Sequence, residues 1–334
     1  MPAREATLQS FRVQRWVTLV GVVLLILKFA AYYVTHSVAI LTDALESIVN
    51  VVAGGISLYS LYVAAKPRDK DHPYGHGKAE FLSAGVEGTL IGVAGVWIII
   101  EAIQKLLHPA PIHKLDIGLV LIAISGVVNY LVGAIAEKTG HKNNSLAIVA
   151  TGKHLKSDAY STAGLVAGLL LLMFTQWQWV DSAVALLFGL LIIFTGIGIV
   201  RKSVAGIMDE ADTDLLQQMV TLLNKERQPN WIDLHNLRII KYGNQMHVDC
   251  HLTIPWYLNV HEAHAEVDLL TNAVRHEFGS SLEIFTHTDG CLPFSCRICQ
   301  VQECPHRKQH FVRSIPWTLH NLFENKKHRI EHEA

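Results

Sequence analysis

From Arg15 to Val200 the chain is a succession of long apolar runs separated by short polar connections. An α-helix needs about 20 apolar residues to cross the hydrocarbon core of a bilayer. Six stretches reach that length, at roughly 16–36, 38–65, 81–108, 114–137, 145–176 and 179–200. Lipid offers the backbone no hydrogen-bond partner, so spanning segments are helices or closed barrels. Runs this long predict a six-transmembrane-helix bundle. The first two are joined by little more than "THS", which predicts a tight helical hairpin. The first run is too long for a cleavable signal and lacks a small-residue cleavage pattern after it, so its retention is expected.

Mean hydropathy is +0.28, an average over two unlike halves, because the chain turns polar and charged after Arg201. The expected division is a cytoplasmic N-terminus (1–15), a transmembrane domain (16–203), a small cytoplasmic α/β domain (204–290) and a Cys/His-containing tail (291–334). Lys and Arg set the orientation of membrane helices. Arg4, Arg12 and Arg15 precede the first span, Lys66, Arg68, Lys70 and Lys78 follow the second, Lys138 and Lys142 the fourth, and Arg201 and Lys202 the sixth. The opposite connections carry only Lys105 and Lys114. Both termini are therefore expected in the cytoplasm, and the membrane expected is the plasma (inner) membrane of a bacterium. A formal net charge of −1 supplies no basic field, so nucleic acid is not an expected partner.

Past the spans, "DTDLLQQMVTLLNKE" and "HEAHAEVDLLTNAVRHEF" carry the 3.6-residue apolar period of amphipathic helices. "HNLRIIKYG", "QMHVDCHLTI" and "SLEIFTHTD" alternate as strands do. The order is αββαβ, a helix pair on a three-stranded sheet.

Several residues of the apolar half do not belong in lipid. "LTDALESIVN" places Asp43, Glu46 and Asn50 on one stripe of the second span, and "KHLKSDAY" places His154 and Asp158 one helical turn apart on the fifth. A polar or ionisable residue at membrane depth is costly and marks a functional site by default. Imidazole, carboxylate and amide oxygen together are a ligand set for a divalent first-row metal. The other reading is interhelical hydrogen bonding that glues the bundle. Glu87, Glu101 and Asn129 stand alone in their spans and read as structural or pathway residues.

The span-two stripe, the loop "DKDHPYGHGKAE" and the His-x3-Asp of span five resemble the cation diffusion facilitator family of metal/proton antiporters over residues 10–290 or so. The resemblance implies a transport site with two ligands from span two, here Glu46 and Asn50, and two from span five, His154 and Asp158. Asn50 departs from the family's carboxylate, and Asp43 is a substitute ligand one turn from Glu46. The amide oxygen and carboxylates lean toward harder ions such as Mn²⁺ or Fe²⁺ and the His keeps Zn²⁺ and Co²⁺ in play; Zn²⁺ is the first cargo expected, with Fe²⁺, Mn²⁺, Co²⁺ and Cd²⁺ as further cargo.

Asp69, His72 and His76 could hold a metal near the membrane surface, and the resemblance implies a zinc site there. The alternative is a solvated loop turned by Pro73 and Gly75. In the α/β domain the resemblance implies a paired metal site at a dimer interface, on His235, His251, His264, His287 and Asp289. It also implies a Lys78–Asp209 charge pair that ties a homodimer together. The tail reads C-x4-C-x2-C-x4-C-x-H, with Cys291, Cys296, Cys299, Cys304 and His306 as a structural zinc site, iron–sulfur ligation or unligated thiols. "NKKHRIEHEA" reads as a charged, disordered end. With no nucleophile motif and no phosphate loop, an enzyme is not expected. The function expected is proton-coupled export of divalent metal by alternating access. A membrane metal sensor or a gated divalent-cation channel is the alternative.

Overall fold

The computed structural model describes residues 2–35, 38–107, 116–175, 179–242, 245–279 and 282–330; some helical side chains, those of Asp43 and Glu46 among them, lie outside the description. The chain divides into two compact units, one spanning Arg4–Met208 and the other made up of Asp209–Ala334 with Met1–Ala3.

The first unit consists of α1 (Pro2–Thr35), α2 (Val38–Ala64), α3 (Ala79–Leu107), α4 (Asp116–Lys142), α5 (Leu146–Thr175) and α6 (Trp179–Ile207). These are the membrane helices. Among the described residues, Leu8–Ala30, Ala79–Gln104 and Gly189–Ile207 are long and apolar enough to span a bilayer unaided. On α5, Lys153, His154, Lys156 and Asp158 interrupt the apolar run, so its polar content has to be sheltered by its neighbours. Helix α1 begins at Pro2, well before the expected entry to the span at residue 16. The polar residues of this extension are anchored by other helices. Gln14 Nε2 donates to the Gly54 carbonyl at 3.2 Å, and Asn143 Nδ2 donates to Ser10 Oγ at 3.1 Å.

Small residues let the helices approach closely, because lipid supplies no hydrophobic drive between helices and close van der Waals packing has to serve instead. A Cβ on Gly196 of α6 would stand 2.7 Å from the Gly88 carbonyl and 2.7 Å from the Gly92 nitrogen of α3. Ala84 and Ile91 of α3, Ala150 of α5 and Ile192 and Ile199 of α6 are buried together on that seam.

The second unit is α7 (Thr213–Lys225), β1 (Asp233–Tyr242), β2 (Gln245–Ile254), α8 (Val260–Phe278), β3 (Leu282–Gly290) and a short α9 (Leu319–Leu322), so the αββαβ expectation holds. Each long helix starts on a cap. Asp212 Oδ1 accepts the Leu215 N–H at 3.0 Å. Asn259 and Glu262 form a reciprocal capping box. Strand β2 is central, antiparallel to β1 and parallel to β3. The register sets His235, His251 and His287 side by side across the three strands. A bulge follows His235, where Asn236 adopts φ 53°, the left-handed conformation that Asn tolerates. Leu216, Met219 and Leu223 of α7 and Leu270 and Val274 of α8 bury the apolar side of the sheet.

The tail belongs to this core. Trp317 and Leu322 are buried in it, the Arg227 guanidinium lies 4.0 Å over the Trp317 ring, and the Asn236 N–H at the bulge donates to the Glu324 carbonyl at 3.0 Å. "NKKHRIEHEA" therefore departs from the disordered end expected of it. As far as Ile330 it is held against the unit. The His328 N–H donates to Asp233 Oδ2 at 2.8 Å, and its Nδ1 stands 2.5 Å from Asp233 Oδ1. The reason is electrostatic, since Asp233 is only 2% exposed and a buried carboxylate requires donors and a counter-charge.

Burial opposes the charged form of Asp233, but hydrogen bonds from His235 and His328 outweigh it and hold the carboxyl down at about 2, below its ordinary 3.8. Burial likewise works against the His328 imidazolium, and Asp233 outweighs it, raising His328 above its ordinary 6.5. The depressed carboxyl stabilises the docked tail above pH 3.8 and the raised imidazole stabilises it below pH 6.5. Attachment is thus firmest between those values. It weakens as pH falls toward about 2 and again as pH rises through the raised value of His328.

Two measurements check these points. Gly196→Val is expected to destabilise the bundle by about 1–3 kcal/mol through overpacking, read as a lower unfolding midpoint in detergent. Gly198→Ala, at a position with nothing within 4 Å, is expected to leave the midpoint unchanged. Amide protection of residues 325–330, corrected for intrinsic exchange, is expected to fall on the alkaline side of the window, and His328→Asn is expected to abolish that pH dependence.

Candidate metal sites

In the first unit Asn50 of α2 meets His154 and Asp158 of α5. The Asn50 amide bridges the pair. Its Nδ2 donates to Asp158 Oδ2 at 2.6 Å, and its Oδ1 lies 2.8 Å from His154 Nε2, so that nitrogen carries the proton of this bond. His154 Nε2 and Asp158 Oδ2 are 4.0 Å apart. Carboxylate, imidazole and amide oxygen thus converge at a buried point, with His154 7% exposed. The expectations for Asp43 and Glu46 fall on side chains outside the description.

The polar line continues along the same helices. One turn before His154, Thr151 Oγ1 donates to Glu87 Oε1 of α3 at 2.7 Å and lies 3.3 Å from Ser57 Oγ of α2. Farther along α3, Ser145 Oγ donates to the buried Glu80 carboxyl. Glu87 had read as an isolated polar residue; it is 1% exposed and lies against the face that carries His154. The signal for this was the spacing of Thr151 at three before His154 and Ser57 at seven after Asn50, which places both on the site's own stripes.

In the loop between α2 and α3, Asp69, His72 and His76 come together with ligand atoms all within 4.8 Å. Asp69 Oδ1 accepts the Asp71 and His72 N–H groups at 3.0 and 2.7 Å, and Gly75 turns the chain at φ 90°. Asp69 Oδ2 lies 3.3 Å from His76 Nε2. The His72 N–H, outweighing the effect of burial, lowers the Asp69 carboxyl below its ordinary value. An anionic oxygen beside two imidazoles suits a divalent cation.

The second unit holds a further triad, His235, His251 and Asp289, again within 4.8 Å. Asp289 Oδ2 lies 3.5 Å from His235 Nε2 and 3.5 Å from His251 Nδ1. The Asp233 carboxylate stands 3.5 Å behind His235 Nδ1, the outer partner that fixes a ligand imidazole's orientation. Burial pushes His251 down, with the charge of His235 adding to it, which keeps the ring neutral and available to a metal. His287 flanks the triad, its ring centroid 4.7 Å from that of His251 and its Nε2 3.8 Å from Asp289 Oδ1. His264 is not brought to this cluster within one chain; on α8 it faces Asp268 at 3.7 Å. Lys78 Nζ donates to the Ile207 carbonyl at 3.3 Å; its expected partner Asp209 belongs to the other unit. In the tail, the His306 ring lies tilted against Trp256 and Tyr257, with centroids 4.8 and 5.2 Å away.

Residues 16–208 match the cation efflux transmembrane domain, and residues 211–291 match the cytoplasmic domain of cation efflux proteins. The chain belongs to the cation efflux, or cation diffusion facilitator, family. It is 31% identical over 263 residues to an uncharacterized transporter of Synechocystis sp., covering 79% of this chain and 84% of that one. It is 26% identical over 266 residues to the cation-efflux pump FieF of Shewanella oneidensis, covering 80% and 89% of the two chains. To the FieF of Citrobacter koseri it is 26% identical over 275 residues, covering 82% and 90%. This cation efflux protein is therefore an integral membrane transporter of metal cations rather than an enzyme.

Sequence reasoning missed one resident of the triad. Lys327 Nζ stands 3.6 Å from Asp289 Oδ1 and donates to the Gly290 carbonyl at 2.7 Å. Its ammonium occupies one lobe of the triad's carboxylate, and no spacing rule connects it to a strand some forty residues earlier. A partly exposed ion pair is worth up to about 1 kcal/mol. Lys327→Ala is accordingly expected to tighten divalent-metal binding at the triad by up to about 5-fold, measured by calorimetric titration of the full chain against the Asp289→Ala variant as blank.

Proposed function

We propose that the chain is a homodimeric, proton-coupled antiporter that exports divalent transition-metal cations from the cytoplasm, with both termini cytoplasmic and the plasma (inner) membrane of a bacterium as its location. The convergence of Asn50, His154 and Asp158 between α2 and α5 carries this reading. Asp43 or Glu46 completes the set from α2. Zn²⁺ is the first cargo, and Fe²⁺, Mn²⁺, Co²⁺ and Cd²⁺ suit the same donors.

With the cage open to the cytoplasm, Asp158 is ionised and His154 neutral, and metal displaces the Asn50 hydrogen bonds to both. With the cage open to the opposite side, protons compete for Asp158 and His154 and release the metal, because ligand protonation and metal binding exclude one another. The Asn50 bridge then closes the emptied cage without leaving a bare carboxylate in the bundle. Thr151, Ser57, Glu87 and Glu80 extend the polar line through which water and ions reach it.

The His235–His251–Asp289 triad, with His287 beside it and His264 supplied across the dimer, serves as the cytoplasmic metal site. Its filling biases the transport cycle through the dimer. The Lys78–Asp209 charge pair ties the homodimer together, and the Asp69–His72–His76 loop holds a metal beside the membrane. The similarity to cation-efflux pumps supports the direction of transport.

Flux in reconstituted liposomes tests the proposal, with Zn²⁺, Mn²⁺, Fe²⁺, Co²⁺ and Cd²⁺ each offered with and without a pH gradient. Gradient-driven flux is expected, with Asp158→Ala reduced to the level of empty liposomes. Flux that ignores the gradient would establish a channel. Metal bound without flux would establish a sensor.

A further inference from the structure

Cys291 follows the last residue of β3, and Cys296, Cys299 and Cys304 lie past residue 291, where the match to the family's domain ends. All four are free thiols; Cys299 is buried and the others are half-buried. The short 3-10 turn Pro293–Arg297 carries Cys296, and Ile298 beside it packs with Ile232, Cys299 and Ile330 in a small apolar cluster.

One sulfur accepts a backbone N–H, Lys308 donating to Cys296 Sγ at 3.4 Å. Cys291 packs against the cluster that buries Cys299. A neutral thiol is a poor acceptor, whereas a thiolate gains from each such bond. The Arg307 guanidinium fixes the loop by donating to the carbonyls of Cys296 at 3.1 Å, Cys299 at 3.3 Å and Val301. The Cys296 and Cys299 carbonyls thus share one guanidinium and Cys291 lies against the Cys299 cluster, so one folded loop gathers these free thiols.

Spacing bears on the kind of centre. Among the described residues, the groups whose ligand atoms all lie within 4.8 Å are the Asp69 and His235 triads, and the thiols do not make a third. One zinc ion, bound at about 2.3 Å to each sulfur, requires tetrahedral sulfurs about 3.8 Å apart, and would draw these inward. An iron–sulfur cluster carries its thiolates on separate irons and accepts a wider spread. The chemistry common to both is a soft metal held by four thiolates.

We infer that Cys291, Cys296, Cys299 and Cys304 bind a thiolate metal centre that fastens the tail to the second unit, separate from the histidine sites. Binding releases the thiol protons to solvent as sulfur–metal bonds form, and no electron transfer is involved in zinc uptake; a cluster arrives with its own iron and sulfide. Because the fastened segment leads to Lys327 and His328, the centre also secures the contacts those residues make with Asp289 and Asp233.

The test is metal and sulfide analysis, with a visible spectrum, on the full chain purified anaerobically in detergent. Wild type is expected to carry about one zinc per chain more than Cys296→Ser/Cys299→Ser, or iron with matching sulfide and visible absorption that the variant lacks, and the spectrum and sulfide tell the two apart. That increment is expected to persist in His235→Ala/His251→Ala. It is also expected to protect the wild-type thiols from alkylation until a chelator is added. Metal content and thiol labelling equal in wild type and the cysteine variant would overturn the inference. Should that variant fail to fold, Co²⁺ added to reduced wild-type chain decides the matter, since an intense sulfur-to-cobalt absorption band is expected and its absence would also overturn the inference.

Discussion

A polar side chain inside a membrane bundle has no water to fall back on, and the organisation of this protein follows from that constraint. The Asn50 amide is where it acts most directly. One carboxylate and one imidazole on α5 would leave a costly buried acceptor and donor, and the amide answers both at once, donating to Asp158 and accepting from His154. A carboxylate at position 50 would repel Asp158 in an empty site, whereas the amide allows α2 and α5 to close together with no metal present. On the proposed transport reading, the cost is one fewer anionic ligand for the metal, so Asn50 would set cage stability against cage affinity.

The same rule shapes the second unit in a wetter setting. Asp233 is buried behind His235, and hydrogen bonds from His235 and His328 hold its carboxyl below its ordinary value. That requirement draws the end of the chain back onto the sheet. Lys327 comes with it and reaches Asp289, a member of the triad. The tail thus touches the triad at Asp289 and at Asp233, the carboxylate behind His235.

Much of the fold was readable because its signals are local or periodic. Six apolar runs gave six helices, and the αββαβ order followed from alternation and helical period. The span-five pair was legible because His154 and Asp158 stand one turn apart. The role of Glu87 was harder to see, since a lone carboxyl in a span carries no periodic signal of its own and its partners Thr151 and Ser57 sit on two other helices. The ordered tail was misread for a related reason. "NKKHRIEHEA" is as charged as a disordered segment, and its partner Asp233 is nearly a hundred residues away.

The sequence alone therefore determined the membrane-spanning class, the two-part division and the identity of the metal-capable side chains, because hydropathy, period and ligand type are properties of short stretches. Tertiary structure decided which of those side chains share a site. Strand register set His235, His251 and His287 in one row, while His264 on α8 stayed apart. Helix packing closed Asn50 onto His154 and Asp158. The folded tail placed Lys327 on Asp289. A ligand set is a matter of a few ångströms between residues far apart in the chain, and only the packing of the whole molecule fixes such distances.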